Sequence, residues 1–231
     1  MPAVARHAPD TRQRVLATAS ALFAERGFHA TTVRDIARHA GVNLAAAHYH
    51  FGSKDTLYLE VMRAQFDRVM SQLSERGARL ATARPSRAAL RRLLRERVAV
   101  MLELLLGPPP GLPGTLMLRE MLDPSAALPN IVRQFVRPQK DEIARLVIGL
   151  APHLDAAAVE RCVFSIVGQI FFYRSQLAAL PHLSDTPPLT RGWIAATADH
   201  ITTFSLGGMT AAAAAGARAG RRASPGRRAS R

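Results

Sequence analysis

The sequence predicts an all-α protein of about nine helices, because helical spacing recurs along the chain while strand signals are nearly absent. Sustained period-2 alternation is missing, and there is no Asn-Gly hairpin turn. Capping residues and glycines punctuate the apolar stripes at helix-length intervals. With 231 residues, 48% hydrophobic and 21% charged, the chain can bury roughly 70% of its unfolded surface without a metal or disulfide.

The elements follow in order. Asp10 with Gln13 in capping-box position opens a first helix carrying Val15, Leu16, Ala19, Leu22 and Phe23, stopped at Gly27. Thr32 with Asp35 makes a second box ahead of Val33, Ile36, Ala37 and Ala40, and Gly41 ends that short helix. Asn43 caps a third helix to about Phe51. Ser53 caps a fourth, carrying Leu57, Val61, Val69 and Leu73. Arg87 to Leu106 reads as one helix, halted by Gly107-Pro-Pro-Pro-Gly111, which has too few backbone donors to continue. Thr115 to Leu122 is short. Leu128 to Leu150 follows, with a break expected at Pro138. Asp155 caps a long apolar helix to about Leu180, and Leu189 to Leu206 is the last, ending at Gly207-Gly208.

Charge is distributed unevenly. Residues 1–70 carry a net +3, residues 71–110 a net +5, residues 111–206 balance, and the tail from 207 adds six arginines without an acid, for +14 in all. Such asymmetry suits a polyanion partner at one end, although an arginine-rich composition produces it too, since Lys54 and Lys140 are the only lysines. The single cysteine, Cys162, suits a reducing compartment. The longest nearly apolar run, Val163 to Tyr173, falls short of the ~20 residues a membrane span needs, and Met1 to Pro9 lacks a secretory core. A cytoplasmic protein without a membrane partner is expected.

Chemistry is concentrated between Thr32 and Phe51. A helix-turn-helix needs a short first helix, a turn with glycine, and a second helix with one thin solvent face. Ile36 and Ala37 face inward, Gly41 permits a left-handed turn, Val42 plugs the angle, and Asn43 caps the second helix. Small Ala45, Ala46 and Ala47 allow close approach to a DNA groove, where methyl groups meet thymine.

With residues 10–62 included, the stretch resembles the TetR family of bacterial transcription regulators. The resemblance is carried by Glu25-Arg-Gly-Phe28, Thr31-Thr-Val-Arg-Asp-Ile-Ala37, Ala40-Gly-Val42, Tyr49-His-Phe51 and Ser53-Lys54. Val42-Asn-Leu-Ala45 and Leu118-Arg-Glu-Met-Leu-Asp-Pro124 look like its CecR-type branch. The resemblance implies that Tyr49, His50 and Lys54 contact phosphates, with Thr32 capping a helix end aimed at the backbone. It implies that Arg34, Asn43, Leu44, Ala45, Ala46 and His48 face base edges. Arg34 would read guanine, and Asn43 adenine if its side chain is not spent on capping. Two departures stand out: Ala46 replaces a common Thr and His48 a common Tyr, which shifts weight to Arg34 and DNA shape. Tyr49 has a competing role in packing, and His48 as a solvated side chain. Phe51 belongs to the core, and Arg12 and Arg14 to a solvated helix face.

The implied organisation is a flexible N-terminus (1–9), a three-helix helix-turn-helix DNA-binding domain (10–70, motif 32–51), a larger helical ligand-binding and dimerisation domain (71–206), and a disordered Arg-rich tail (207–231). The last two helices should pair with those of a second copy, and Val159, Val163, Ile166, Val167 and Ile170 form a suitably broad apolar face. Met101, Leu105, Met117, Met121, Phe135, Phe171, Phe172 and Trp193, with Gln169 and Tyr173 as polar contacts, are candidates to line a pocket for an apolar or aromatic effector, although each also suits ordinary core. Arg119 and Glu120 read as a structural ion pair or a polar ligand anchor, and Cys162 as a buried small residue rather than a redox sensor.

No GxSxG, GxGxxG, Walker loop or HExxH occurs, and His48 and His50 point to different sides of a helix, so neither an enzyme, a cofactor nor a metal site is expected. The expected function is a ligand-responsive, sequence-specific regulator, a repressor released from a palindromic operator as a homodimer. The alternative is a charge- and shape-driven nucleic-acid binder using the basic segment and tail.

Overall fold

A computed structural model describes residues 10–78, 85–106, 112–183 and 189–223, and shows helices and no strand among them. The chain forms α1 (Thr11–Arg26), α2 (Val33–Ala40), α3 (Leu44–Phe51), α4 (Lys54–Ala78), α5 (Arg87–Leu106) and α6 (Leu112–Leu122). It continues with α7 (Leu128–Ile131), a π-helical turn (Val132–Val136), α8 (Arg137–Leu150), α9 (Ala156–Ser175), α10 (Leu180–Leu183) and α11 (Arg191–Ala223).

Most helix starts are set by local chemistry. The Thr32 hydroxyl accepts from the Asp35 amide at 3.0 Å while the Asp35 carboxylate accepts from the Thr32 amide, which completes the capping box. Asn43, Ser53 and Asp155 accept from the amides of Ala46, Thr56 and Ala158 in the same way. Asp10 departs from expectation. It occupies the cap position of α1, but its side chain makes no capping bond.

Three helix ends differ from the sequence reading. α6 begins at Leu112 rather than Thr115. α9 stops at Ser175, where the Ser175 hydroxyl donates to the Phe172 carbonyl, and a turn separates it from α10. α11 runs through Gly207 and Gly208 to Ala223, so residues 207–223, expected as disordered tail, are helical. Each glycine costs up to about 1 kcal/mol, but Met209 is buried just beyond them and the alanine run 211–215 favours helix. The Pro-rich stop at 107–111, the 1–9 terminus and the 224–231 end lie outside the described residues.

The break expected at Pro138 is the π turn. Pro138 cannot donate to Gln134, and its ring would crowd that carbonyl; widening the preceding turn relieves both problems.

The chain divides into two compact units, residues 1–68 with 108–136 and residues 69–107 with 137–231. In the first, Val15, Ala19, Leu22 and Phe23 of α1 pack with Ile36, Ala37, Ala47, Phe51, Leu57 and Val61, while Leu16 is only half-buried. Tyr58 meets Phe23 edge-on at 4.9 Å and Phe28 at the same distance. In the second, Leu94, Val98, Leu102 and Leu106 present one stripe of α5 to Ile143 and Val147, to Val163 and Ile166, and to Ile194, Ala198 and Ile201. Each such side chain contributes about 1.5–3 kcal/mol of burial, so this cluster dominates the unit. A bidentate pair fixes α5 to α11: Arg95 Nε lies 2.5 Å from Asp199 Oδ1, and its terminal nitrogen lies 3.2 Å from Oδ2.

By length and composition α9 is apolar enough to cross a membrane, beyond what the shorter run Val163 to Tyr173 suggested. Only 22% of that stretch is buried. Val159, Val163, Ile166 and Ile170 enter the core, leaving Phe164 and Phe172 exposed on the other side.

Candidate nucleic-acid interface

The turn between α2 and α3 is built as a helix-turn-helix requires. Gly41 adopts φ 64° and ψ 38°, and the Val42 amide returns to the Ala37 carbonyl at 3.0 Å. Ala47 and Phe51 of α3 are buried, which turns the opposite face of that helix outward. Ala45, His48 and Tyr49 are exposed on that face, with Leu44, Ala46 and His50 half-buried beside them. Tyr49 is 87% exposed, its ring meeting only His50 edge-on at 5.4 Å. A large aromatic held in water contributes nothing to packing, so the packing role for Tyr49 is ruled out.

Other predicted contacts are partly spent. Asn43 Oδ1 accepts the Ala46 amide at 2.6 Å, which holds the side chain against the first turn of α3. Bidentate adenine reading needs an acceptor and a donor turned toward the base, and the capping bond orients the Asn43 oxygen toward its own helix instead. The Thr32 hydroxyl donates to Asp35 Oδ2 at 2.5 Å, and this bond holds the carboxyl below its usual range. Two of the four free amides of the first turn of α2 are thereby used; those of Val33 and Arg34 remain for an anion.

His48 Nδ1 lies 3.0 Å from the Gly52 carbonyl. A carbonyl only accepts, so Nδ1 carries the proton and Nε2 is the outward atom. Lys54 is half-buried, its ammonium 4.2 Å above the Phe28 ring and 3.5 Å from the His29 carbonyl, and burial lowers its pKa. Arg34 is exposed and makes no hydrogen bond or ion pair among the described residues.

Arg12 and Arg14 are half-buried and bonded within the chain while still reaching solvent. Arg12 pairs with Glu60 at 2.9 Å and lies 5.3 Å over the Phe51 ring. Arg14 donates to the carbonyls of Ala40 and Gly41 at 2.5 and 2.8 Å. Arg119 and Glu120 do not pair with each other. Arg119 donates to the carbonyls of Ala24 and Glu25, both at 2.8 Å, while Glu120 accepts from Tyr58 and Ser125. The sequence carries no local signal for any of these bonds, because the partners lie 26 to 95 residues away except at Ser125.

The predicted effector residues are dispersed. Met117, Phe135 and Met121 belong to the first unit; Met117 is buried, Phe135 stacks on Phe66 at 4.8 Å, and Met121 is exposed. Met101, Leu105, Tyr173 and Trp193 pack on the rim of the second core, with Tyr173 edge-on to Trp193 at 5.4 Å, whereas Phe172 is exposed and Phe171 half-buried. Gln169 lines a surface groove of about 540 Å³ between α9 and α11, walled by Ala158, Ser165, Phe204, Gly208 and Ala212. Cys162 also borders it, and burial pushes its thiol up, which disfavours the reactive thiolate.

Comparison with known proteins agrees with this geometry. Residues 15–61 match the family of bacterial regulatory proteins of the tetR type. Residues 85–209, more than half of the chain, match the C-terminal domain of the HTH-type transcriptional dual regulator CecR. The chain is 35% identical to the dual regulator CecR of Shigella flexneri over 150 residues, 63% of this chain and 67% of that protein. It is 40% identical to the transcriptional repressor KstR2 of Rhodococcus jostii (strain RHA1) over 83 residues, 36% of this chain and 39% of that one. The fold is shared with a tetR-family transcription regulator from Shewanella sp. PV-4, at a TM-score of 0.64 and 20% identity, covering 87% of this chain and 98% of the other. These matches favour a specific regulator over a charge-driven binder. An exposed α3 face on a capped helix-turn-helix, joined to a matching C-terminal domain, places the chain in the TetR family of DNA-binding transcriptional regulators, within its CecR-type branch.

Proposed function

We propose that the protein is a homodimeric repressor that occupies a palindromic operator and is released by a small apolar or aromatic effector. The observation that carries this reading is the outward face of α3: Ala45, His48 and Tyr49 are exposed while Ala47 and Phe51 anchor the helix from behind. The alanine faces permit close approach to a major groove, Tyr49 offers a phosphate contact, and Arg34 offers the guanine contact. One such unit reads few bases, so a two-fold pair reading two half-sites is required for useful affinity. The exposed Phe204 in the small-residue groove of α9 and α11, with Phe164 and Phe172 exposed elsewhere on α9, supports pairing through those helices.

The effector would act through helices of the second unit, among which Met101, Leu105, Tyr173, Phe172, Gln169 and Trp193 are the candidate contacts. α4 spans residues of both units and is the element through which the proposed effector would act on the reading head. A differential effector affinity of about 1.4 kcal/mol between the two states suffices for tenfold release. Footprinting of the purified protein on the DNA upstream of its own gene tests the reading, with sedimentation of the complex as a count of protomers. Protection of two half-sites about one DNA turn apart by two protomers supports it. Diffuse protection by a monomer refutes it.

A further inference from the structure

Arg14 lies on the face of α1 that meets the helix-turn-helix, and the regulator's DNA chemistry gives it no role of its own. Its guanidinium donates to the Ala40 carbonyl at 2.5 Å and the Gly41 carbonyl at 2.8 Å. Both carbonyls sit at the C-terminal end of α2, where the helix leaves acceptors unsatisfied and the macrodipole is negative. Gly41 is the left-handed turn residue, and α3 begins three residues later. A β-carbon at Gly41 would lie 3.0 Å from the same Arg14 nitrogen, so the arginine also occupies the space over the turn.

The neighbouring Arg12 braces the other end of α3. It lies over the ring of Phe51, the last residue of that helix, and pairs with Glu60 of α4. Two arginines two residues apart on α1 therefore hold the entrance and the exit of the reading helix.

We infer that Arg14 is a positioning residue for DNA reading: it fixes the angle at which α3 leaves the turn, and so determines site preference without touching DNA. This rests on α3 being the reading helix. A phosphate ligand weakens all duplexes alike and lowers the salt slope when removed. A positioning residue has a different signature, because base contacts tolerate less displacement than phosphate contacts, so misplacing α3 lowers affinity for the preferred site more than for a scrambled duplex.

The test uses full-length Arg14→Met, which retains most of the stem, and Arg14→Lys, which can still reach one carbonyl. Binding is measured on the duplex protected in the footprint and on a scrambled duplex, over a salt series, with thermal unfolding recorded for each variant. The expected result for Arg14→Met is a loss of preference of about tenfold, the scale of one mismatched base pair, with affinity for the scrambled duplex falling far less than affinity for the protected one. Arg14→Lys should recover part of the preference, and it carries the test alone should the methionine variant not fold. Equal losses on both duplexes with a slope reduced by about one would overturn the inference in favour of a phosphate contact. Unchanged preference in a folded variant would overturn it outright. A wild-type protein without preference is a separate result, which removes the reading-helix premise.

Discussion

The hydroxyl of Tyr58 on α4 donates to the buried carboxylate of Glu120 on α6 at 2.9 Å. Glu120 is 1% exposed and accepts in addition from the amide and the hydroxyl of Ser125, at 3.1 and 2.9 Å. A buried carboxylate is tolerated when both of its oxygens are hydrogen-bonded, and here three donors serve them. Phe23 and Phe28 enclose the phenol, so this bond and the aromatic cluster hold α6 to the helices that carry the reading head.

Removing the donor should therefore cost more than a surface hydrogen bond. Tyr58→Phe leaves Glu120 short of a partner, and the expected loss is about 1–3 kcal/mol in denaturant unfolding. The pH dependence has a definite sign. Burial first, then the bond to Glu120, raises the Tyr58 pKa above its ordinary value near 10. Its contribution is full below the unfolded pKa and declines as pH rises beyond about 10. Wild type should lose stability on that alkaline limb more steeply than Tyr58→Phe. Parallel limbs in the two proteins would refute this assignment.

Asn43 is predicted to act as a cap and not as a reader. Asn43→Ala should cost about 1 kcal/mol of stability and weaken binding to every duplex. Asn43→Ser keeps an acceptor for the Ala46 amide, and so should preserve both stability and sequence preference. A change of preference in the serine variant, scored by selection from a randomised duplex pool, would return base reading to Asn43.

Arg34 and Tyr49 should separate cleanly in the same selection. Arg34→Ala is expected to relax preference at one position by about 1–3 kcal/mol. Tyr49→Phe removes one hydroxyl contact and should weaken all sites alike by about 0.5–1.5 kcal/mol, with folding unaffected because the ring is in water. An unaltered preference in Arg34→Ala would show that base reading lies elsewhere on the interface.

Gly207 lies inside α11, and a β-carbon there meets nothing within 4 Å. Gly207→Ala should thus stabilise the helix by about 0.5–1 kcal/mol and raise the unfolding temperature. A neutral or destabilising effect would contradict the continuous course of α11.

What the sequence makes legible is the local chemistry. The Thr32, Asn43, Ser53 and Asp155 caps, the Gly41 turn and the span Arg87–Leu106 follow from residues within a few positions of each other. The bonds of Arg14, Arg119 and Tyr58 are not legible, because each joins residues brought together only by tertiary packing. The end of α11 was hidden for a related reason. Gly207-Gly208 reads as a stop until Met209 is seen to be buried, and that burial is a property of the assembled unit. The candidate effector residues are mostly large and apolar, a property that core and pocket share, and they are spread over both units.

The most direct test of the central claim is the affinity of the purified protein for the DNA upstream of its own gene and for a scrambled duplex, across a salt series. A sequence-reading α3 predicts a preference above roughly a hundredfold that persists at physiological salt. Equal affinities that collapse together as salt rises would contradict it.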